Sequence, residues 1–168
     1  MMISKKMEKA LNEQLELEAA ACFNYLAMAS WCEKEGLEGA ANFFYKHSVE
    51  ENSHMMKVFS YINEVKGHAL TPAVKQPKLE FKSVLDVCQI ALKQEQKVSK
   101  AVHDLVELAV SEKDHVTNDF LRFFVDEQKE EEVLFQRVID RIKLIGSGGQ
   151  SLYYIDRELG TIAAQPVE

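Results

Sequence analysis

Four long stretches of the chain carry apolar residues at the three- and four-residue spacing of an α-helix. The sequence of 168 residues contains 7 Gly and 3 Pro, and all three prolines lie outside these stretches. Since glycine and proline are the strongest helix breakers, their scarcity favours long helices over many short strands. We expect long helices at about 4–35, 38–66, 83–111 and 114–145, and a short fifth helix at about 150–159.

The connections between these helices predict how they pack. The first two long helices are joined by only a few residues, as are the last two, so each pair should form an antiparallel hairpin. The middle connection, about 67–82, is long enough to run back along a helix of about 30 residues. We therefore expect an all-α protein, a four-helix bundle with one long crossover between helices 2 and 3. Residues 1–168 should form a single domain, with a loose tail after Leu159.

Charge and cysteine content exclude several classes of protein. The chain has 27 acidic and 20 basic residues, a formal net charge of −7, which disfavours nucleic acid as a partner and suits cations. No apolar run approaches the roughly 20 residues needed to span a bilayer, so no membrane partner is expected. Three scattered cysteines without a CxxC pair indicate buried thiols in a reducing compartment, the cytoplasm. They are Cys22, Cys32 and Cys88.

Polar side chains interrupt the apolar stripe of each long helix near its midpoint. Helices of similar length that pack side by side bring their midpoints into one layer, so these polar groups should meet at the centre of the bundle. A single polar residue in one apolar stripe would be weak evidence for a buried polar site, but all four stripes are interrupted at the same height. The six residues are Glu18, Glu51, His54, Glu95, Gln128 and Glu131.

A buried group of four carboxylates predicts a metal site. Burying like charges together costs several kcal/mol per ion unless something neutralises them, and bound cations do so better than raised pKa values for a cluster of this size. Many carboxylates with one imidazole suit iron or manganese better than zinc or copper. The spacing Glu51-x-x-His54 aims both side chains at one ion, and Glu18 and Glu95 match the single glutamates of diiron bundles.

Several segments, spread over nearly the whole chain, carry a specific sequence pattern. In order along the chain they are NEQLELE, Tyr25, EGAANFF, HSVEENSH, KQEQ, DEQKEEEVLF and SLYYIDREL. Together they resemble the bacterial non-haem ferritins. The resemblance implies a ferritin-like fold and an intra-subunit ferroxidase centre, which oxidises Fe(II) with dioxygen or hydrogen peroxide. It also implies storage of ferric mineral inside a homo-oligomeric shell of 24 subunits.

The resemblance also implies which residues bind the two irons. The first iron is expected at Glu18, Glu51 and His54, with Glu51 bridging to the second iron. The second iron is expected at Glu95 and Glu131. Gln128 lies close by, and Tyr25 corresponds to the tyrosine that the family places beside the diiron centre.

A third iron site is implied beside the diiron pair, at Glu50, Glu127, Glu130 and Glu131. Glu132 points away from the stripe and is expected to be a solvated residue. The other four histidines have no ligand-type partners in sequence and are expected to be ordinary surface or core residues. They are His47, His68, His103 and His115.

Two differences from related families limit what the resemblance supplies. Bacterioferritins bind haem through a methionine directly after the bridging glutamate, and this chain has Asn52 there, so no haem is expected. They also have a Glu-x-x-His pair on the fourth helix, where this chain has Glu127 and Glu130. Animal ferritins line an iron channel with two acids that correspond here to Asn118 and Leu121, so that access route is not implied.

Three other functions fit a bundle of this kind less well. A diiron peroxidase or oxygenase without mineral storage is the closest alternative, but rubrerythrin-like versions carry a CxxC segment that this chain lacks. A DNA-shielding mini-ferritin would carry a basic tail, and neither terminus here is strongly basic. A purely structural bundle would leave the cost of the buried acids unexplained.

Overall fold

The computed structural model describes residues 3–165, which form five helices and no strand, and none of these helices is long and apolar enough to cross a membrane. The predicted bounds of the long helices agree with the structure to within two residues. The fifth helix continues to Ala163, so the prediction of a loose tail was wrong for 161–163, while 166–168 lie outside the described residues. The helices are α1 (Lys5–Lys34), α2 (Glu38–Glu64), α3 (Val84–Ser111), α4 (His115–Ile145) and α5 (Ser151–Ala163).

A side chain caps the N-terminus of three of the four long helices. Ser4, Ser83 and Asp114 each accept a hydrogen bond from the backbone N–H three residues later. Such caps satisfy N–H groups that have no partner within the helix and contribute about 1 kcal/mol each. The N-terminus of α2 has no capping hydrogen bond from the side chain of its own N-cap residue. Instead Asp156, on α5, accepts a hydrogen bond of 2.8 Å from the N–H of Ala40.

The long helices form two hairpins, as predicted. Helix α1 packs along α2 and α3 along α4, and α1 also contacts α3. The crossover between α2 and α3 has no regular secondary structure and is held against α1 near its start. There the Asn12 side chain accepts a hydrogen bond of 2.7 Å from Leu70 N–H and donates one of 3.1 Å to the His68 carbonyl.

A layer of polar side chains divides the bundle core into two apolar clusters. One cluster, towards the α1–α2 turn, contains Phe44 and Phe135 among its buried residues, and the other contains Leu11 and Leu121. Burial of such side chains supplies most of the stability of a bundle. The buried polar residues with titratable or amide side chains are Gln14, Glu18, His47, Glu51, His54, Glu95 and Gln128.

Two glycines allow α5 to dock closely on the start of α2. A Cβ atom placed on Gly39 would lie 2.0 Å from the carbonyl oxygen of Asp156, and one on Gly160 would lie 3.1 Å from the Cα of Gly39. The first distance is shorter than real Cβ atoms show, and the second is tighter than most real Cβ contacts. The contact lets Ile155 and Leu159 of α5 enter the same apolar cluster as Phe44. The short helix is therefore stabilised by tertiary packing rather than by its own propensity.

Candidate metal centre

Three of the predicted ligands form one compact group inside the bundle. Glu18 from α1 and Glu51 and His54 from α2 each place a ligand atom within 4.8 Å of the others. They are only 0%, 3% and 4% exposed. His54 Nδ1 lies 3.3 Å from Glu51 Oε2, as expected for side chains three residues apart on one helix face. The group offers two carboxylates and one imidazole to a single ion.

A third carboxylate, that of Glu95 on α3, is held in the same layer by hydrogen bonds. Tyr25 donates its hydroxyl proton to Glu95 Oε1 at 2.5 Å. Gln128 Nε2 lies 3.1 Å from Glu95 Oε2 and 3.2 Å from the Glu95 carbonyl oxygen. These contacts come from α1 and α4, so two neighbouring helices fix the orientation of a carboxylate that α3 carries. The predicted neighbourhood of Tyr25, Glu95 and Gln128 is present.

Glu131 lies in a second group, with His47 and Glu50, whose ligand atoms are again within 4.8 Å of one another. His47 Nδ1 is 2.8 Å from the Phe43 carbonyl, to which it can donate, and His47 Nε2 is 3.3 Å from Glu131 Oε2. A pocket of about 90 Å³ opens beside the group. His47 is buried among these groups, and the sequence reasoning gave it no ligand role. The spacing His47-x-x-Glu50 was the signal that could have found it.

The remaining acids of α4 are distributed differently from the predicted third site. Glu127 lies near His54, with 3.6 Å between its Oε2 and His54 Nε2, and Glu130 is exposed. Glu132 was expected to be solvated, but it is half-buried and accepts a hydrogen bond from Ser99. Its position three residues from the core residue Phe135 brings it to the α3–α4 contact. The expectation for Glu132 was therefore wrong.

The three cysteines are free, and only two of them are fully buried. Cys32 and Cys88 lie in the apolar cluster, and burial raises the pKa of the Cys32 thiol to about 12. Cys22 is half-buried, with its Sγ 3.6 Å from Ser48 Oγ, so the prediction of a buried thiol was wrong at this position. The raised pKa keeps Cys32 in its unreactive thiol form.

The electrostatics of the layer favour a bound cation. No Lys or Arg is buried in the part of the chain that the structure describes, so only histidines are available to compensate the acids. Burial, followed by the charge of Glu51, raises the pKa of Glu18 well above its usual range. Burial and the charge of Glu95 do the same for Glu51. Glu18 Oε2 has no hydrogen-bond partner, which is costly for a buried carboxyl oxygen.

Burial alone would lower the pKa of His47, but the charge of Glu131, whose Oε2 lies 3.3 Å from His47 Nε2, and the hydrogen bond with the Phe43 carbonyl raise this pKa to about 9. The apo-protein therefore holds a protonated His47 next to Glu131, and a cation in the second group would displace that proton. Oxygen-rich groups with one imidazole each fit hard divalent and trivalent ions such as those of iron or manganese. The chemistry available to this layer is thus cation binding coupled to proton release.

Known proteins with this fold and sequence are ferritins. A ferritin-like domain model matches residues 8–145. The bacterial non-heme ferritin of Campylobacter jejuni is 43% identical over 162 residues, 96% of this chain and 97% of that protein. That of Staphylococcus aureus is 42% identical over 160 residues, 95% of this chain and 96% of that protein.

A solved structure gives the same result. The open-pore ferritin of the archaeon Archaeoglobus fulgidus is 37% identical, with a TM-score of 0.91, and the alignment covers 94% of this chain and 98% of that one. The predicted resemblance and the ferritin-like fold are both confirmed. The chain belongs to the ferritin family.

Proposed function

We propose that this protein oxidises Fe(II) at the buried carboxylate layer and stores the product as ferric mineral within an oligomeric shell. The observation that carries the proposal is the layer itself, in which Glu18, Glu51 and Glu95 are buried without a Lys or Arg among the buried residues described. Such an arrangement costs several kcal/mol in a structural bundle. Bound iron removes that cost, and a highly charged cation should remove more of it than a monovalent one.

Iron is the substrate, and two ions occupy the centre. Glu18, Glu51 and His54 bind the first iron, with Glu51 bridging to the second. Glu95 and Glu131 bind the second iron. The contacts among Glu18, Glu51 and His54 support the first assignment, since their ligand atoms already lie within 4.8 Å of one another. Glu131 has to turn from His47 towards Glu95 to complete the second.

Gln128 and Tyr25 hold Glu95 for the second iron. The hydrogen bond that each makes to Glu95 stabilises its carboxylate and fixes its orientation. When iron binds, Gln128 is close enough to this carboxylate to contact the same ion. Tyr25 is buried and stacks with both Phe44 and Phe135, so its hydroxyl is kept away from bulk water.

A third iron site lies beside the iron pair, and iron leaves the pair through this site. Glu50 and Glu131 are its central ligands, and His47 adds a nitrogen donor that faces Glu131. Glu127 and Glu130 are the further acids that this site can use as iron moves outwards. Glu131 belongs to both the second and the third site, so a change in its side-chain orientation can pass an ion between them.

The reaction is a two-electron oxidation of an iron pair. Each Fe²⁺ gives one electron, and dioxygen takes up two electrons and two protons to give hydrogen peroxide. Hydrogen peroxide can itself accept two further electrons from another pair and give water. Hard anionic carboxylates stabilise Fe³⁺ more than Fe²⁺, which favours the oxidation. The ferric ions then leave through the third site and are deposited as oxyhydroxide inside a shell of 24 identical subunits.

The proposal is tested by adding Fe²⁺ to the apo-protein in air and following the absorbance of the ferric product. Glu18→Ala and His54→Ala are compared with Glu16→Ala and His103→Ala, which change exposed residues of the same types on α1 and α3. We expect rapid oxidation of about two irons per subunit in the wild type and in both exposed variants, and loss of this phase in the two buried variants.

Storage is measured on the same samples. After repeated additions, size-exclusion chromatography should recover hundreds of irons with each oligomer, and the oligomer should elute at the size of a closed shell. Oxidation no faster than in buffer would contradict the ferroxidase. Rapid oxidation without retained iron would instead favour a diiron oxidase or peroxidase that does not store mineral.

A further inference from the structure

A groove of about 540 Å³ runs between α1 and α3 on the outside of the bundle. Its charged lining consists of three acids, Glu13, Asp104 and Glu107, and one base, Lys6, all of them exposed. The groove is therefore net negative where it opens to solvent. Closely spaced charges of one sign along a cleft raise the local concentration of ions of the opposite sign.

The floor of the groove leads to the buried carboxylate layer. Among the residues that line it, only Gln14 and Leu105 are buried, and Gln14 is only 2% exposed. Gln14 Nε2 donates a hydrogen bond of 2.6 Å to Glu18 Oε1. Gln14 Oε1 has no hydrogen-bond partner. A buried amide oxygen without a partner is rare, and here it occurs on the one polar side chain of the floor.

We propose that this groove is the route by which divalent cations reach the buried site, and that the Gln14 carboxamide is the last oxygen donor before Glu18. The inference rests on the proposed function and names the access route to that same site. The acids at the mouth collect hydrated cations. The amide oxygen is a hard, neutral ligand that can hold such an ion briefly without binding it tightly. Glu18 accepts it one helical turn further along α1.

A second groove of similar size provides a comparison within the same molecule. It lies between α3 and α4, with a volume of about 550 Å³. Two acids, Glu132 and Asp140, are balanced there by Arg137 and Arg141. None of the residues lining this groove is buried. It has neither the negative mouth nor the buried oxygen donor, so it should not conduct cations.

The test measures how fast Fe²⁺ becomes protected from a chelator. Apo-protein is mixed without oxygen with two Fe²⁺ per subunit, and an excess of a colorimetric chelator is added after increasing delays. The fraction of iron that escapes immediate chelation gives the rate of uptake. Equilibrium affinity is measured separately by anaerobic titration calorimetry. Neither readout depends on oxidation.

The variants distinguish an effect on the access route, which changes the rate of Fe²⁺ uptake, from an effect on the buried site, which changes the affinity for Fe²⁺. Asp104→Asn should slow uptake about threefold, and Asp104→Asn with Glu107→Gln about tenfold, because each removes charge from the mouth. Affinity should change less than about twofold, since the ligands at the site are untouched and uptake and release slow together. Asp140→Asn, an exposed acid of the second groove, should leave both quantities unchanged. The difference between Asp104→Asn and Asp140→Asn should shrink as salt is added.

Gln14→Leu removes the amide oxygen with little change of volume. The substitution also removes a hydrogen bond to Glu18, so the equilibrium affinity for Fe²⁺ should fall as well. We expect the rate of Fe²⁺ uptake to fall by a larger factor than this affinity. Uptake in Asp104→Asn with Glu107→Gln as fast as in the wild type would overturn the proposed route. Failure of the wild-type protein to protect any Fe²⁺ would instead overturn the proposed function.

Discussion

We expect the protonation state of His47 to determine when the group of His47, Glu50 and Glu131 can accept a cation. Burial opposes its charge, but Glu131, 3.3 Å away, raises the pKa to about 9. A histidine in an unfolded chain titrates near 6.5. The folded protein therefore binds more protons than the unfolded chain between these two values. The His47–Glu131 pair contributes its full stability below about pH 6.5, and this contribution is lost as the pH rises towards 9.

The His47→Gln variant should show this dependence directly. Glutamine keeps an amide near Glu131 but does not titrate, so the difference in unfolding temperature between wild type and variant should narrow as the pH rises from 6 to 9. Thermal unfolding of the metal-free proteins, followed by circular dichroism at several pH values, measures it. His103→Gln, an exposed histidine, is the control. A constant difference between pH 6 and 9 would show that the folded protein does not raise the pKa of His47 above that of the unfolded chain.

We expect Glu127 to orient His54. Its Oε2 is 3.6 Å from His54 Nε2, while the other ring nitrogen faces Glu51. If Nδ1 binds the first iron, Nε2–H needs an acceptor, and loss of such an acceptor typically lowers metal affinity about 10- to 100-fold. We expect this loss in Glu127→Ala and substantial recovery in Glu127→Gln, which keeps an acceptor oxygen.

Anaerobic titration with Fe²⁺ that resolves successive equivalents distinguishes this role from the predicted one at the third site. An orienting role weakens the first equivalent. A direct ligand role at the third site weakens only the last equivalent, and that result in Glu127→Ala would contradict the orienting role.

The candidate site residues whose positions could be predicted are those fixed by helix geometry. Glu18, Glu51 and Glu95 lie on core stripes at helix midpoints, and the backbone alone brings them into one layer. The pairing of Glu131 with His47 depends on side-chain rotamers and on a neighbouring carbonyl, which helical periodicity does not encode. Glu131 can reach either group from its position on α4, and the sequence does not choose between them.

At the scale of the helices, the docking of α5 depends on two glycines as much as on its apolar face. Gly39→Ala should be strongly destabilising, by about 2–4 kcal/mol, because the new Cβ would collide with the Asp156 backbone and push α5 away. That displacement would also remove the cap that Asp156 gives to α2. Gly149→Ala adds a Cβ in open space and should change stability by less than about 0.5 kcal/mol.

Chemical denaturation of both glycine variants measures the difference, and proteolysis at the 146–150 connection reports whether α5 has left the bundle. Equal stability of the two variants would show that α5 can shift to accommodate a side chain. A short helix that follows a glycine-rich connection could be predicted from the helix-breaking sequence at 146–149. Its close contact with α2 could not, because glycine in a helix is a weak signal until the partner backbone is known.

For the whole molecule, the buried carboxylates make the stability of the apo-protein fall as the pH rises. Burial, as the largest cause, raises the pKa values of Glu18, Glu51 and Glu95. An acid with a raised pKa holds its proton in the folded state after the unfolded chain has lost it, so stability declines above the unfolded value of about 4.3. His47 acts in the same direction above pH 6.5.

The apo-protein should therefore unfold at a lower temperature at pH 8 than at pH 6. Two Zn²⁺ per subunit, used as a redox-inert probe, should raise the unfolding temperature more at pH 8 than at pH 6. Glu18→Gln removes one buried charge and should stabilise the apo-protein at pH 8 by about 1–2 kcal/mol, or about 2–8 °C, while weakening the response to Zn²⁺. Glu16→Gln, an exposed acid two residues earlier, should do neither. Calorimetric scans of the three proteins with and without Zn²⁺ decide the matter. If Glu18→Gln were less stable than the wild type without metal, the carboxylate layer would be a structural network in its own right, and there would be no cost of burying the carboxylates for iron to remove.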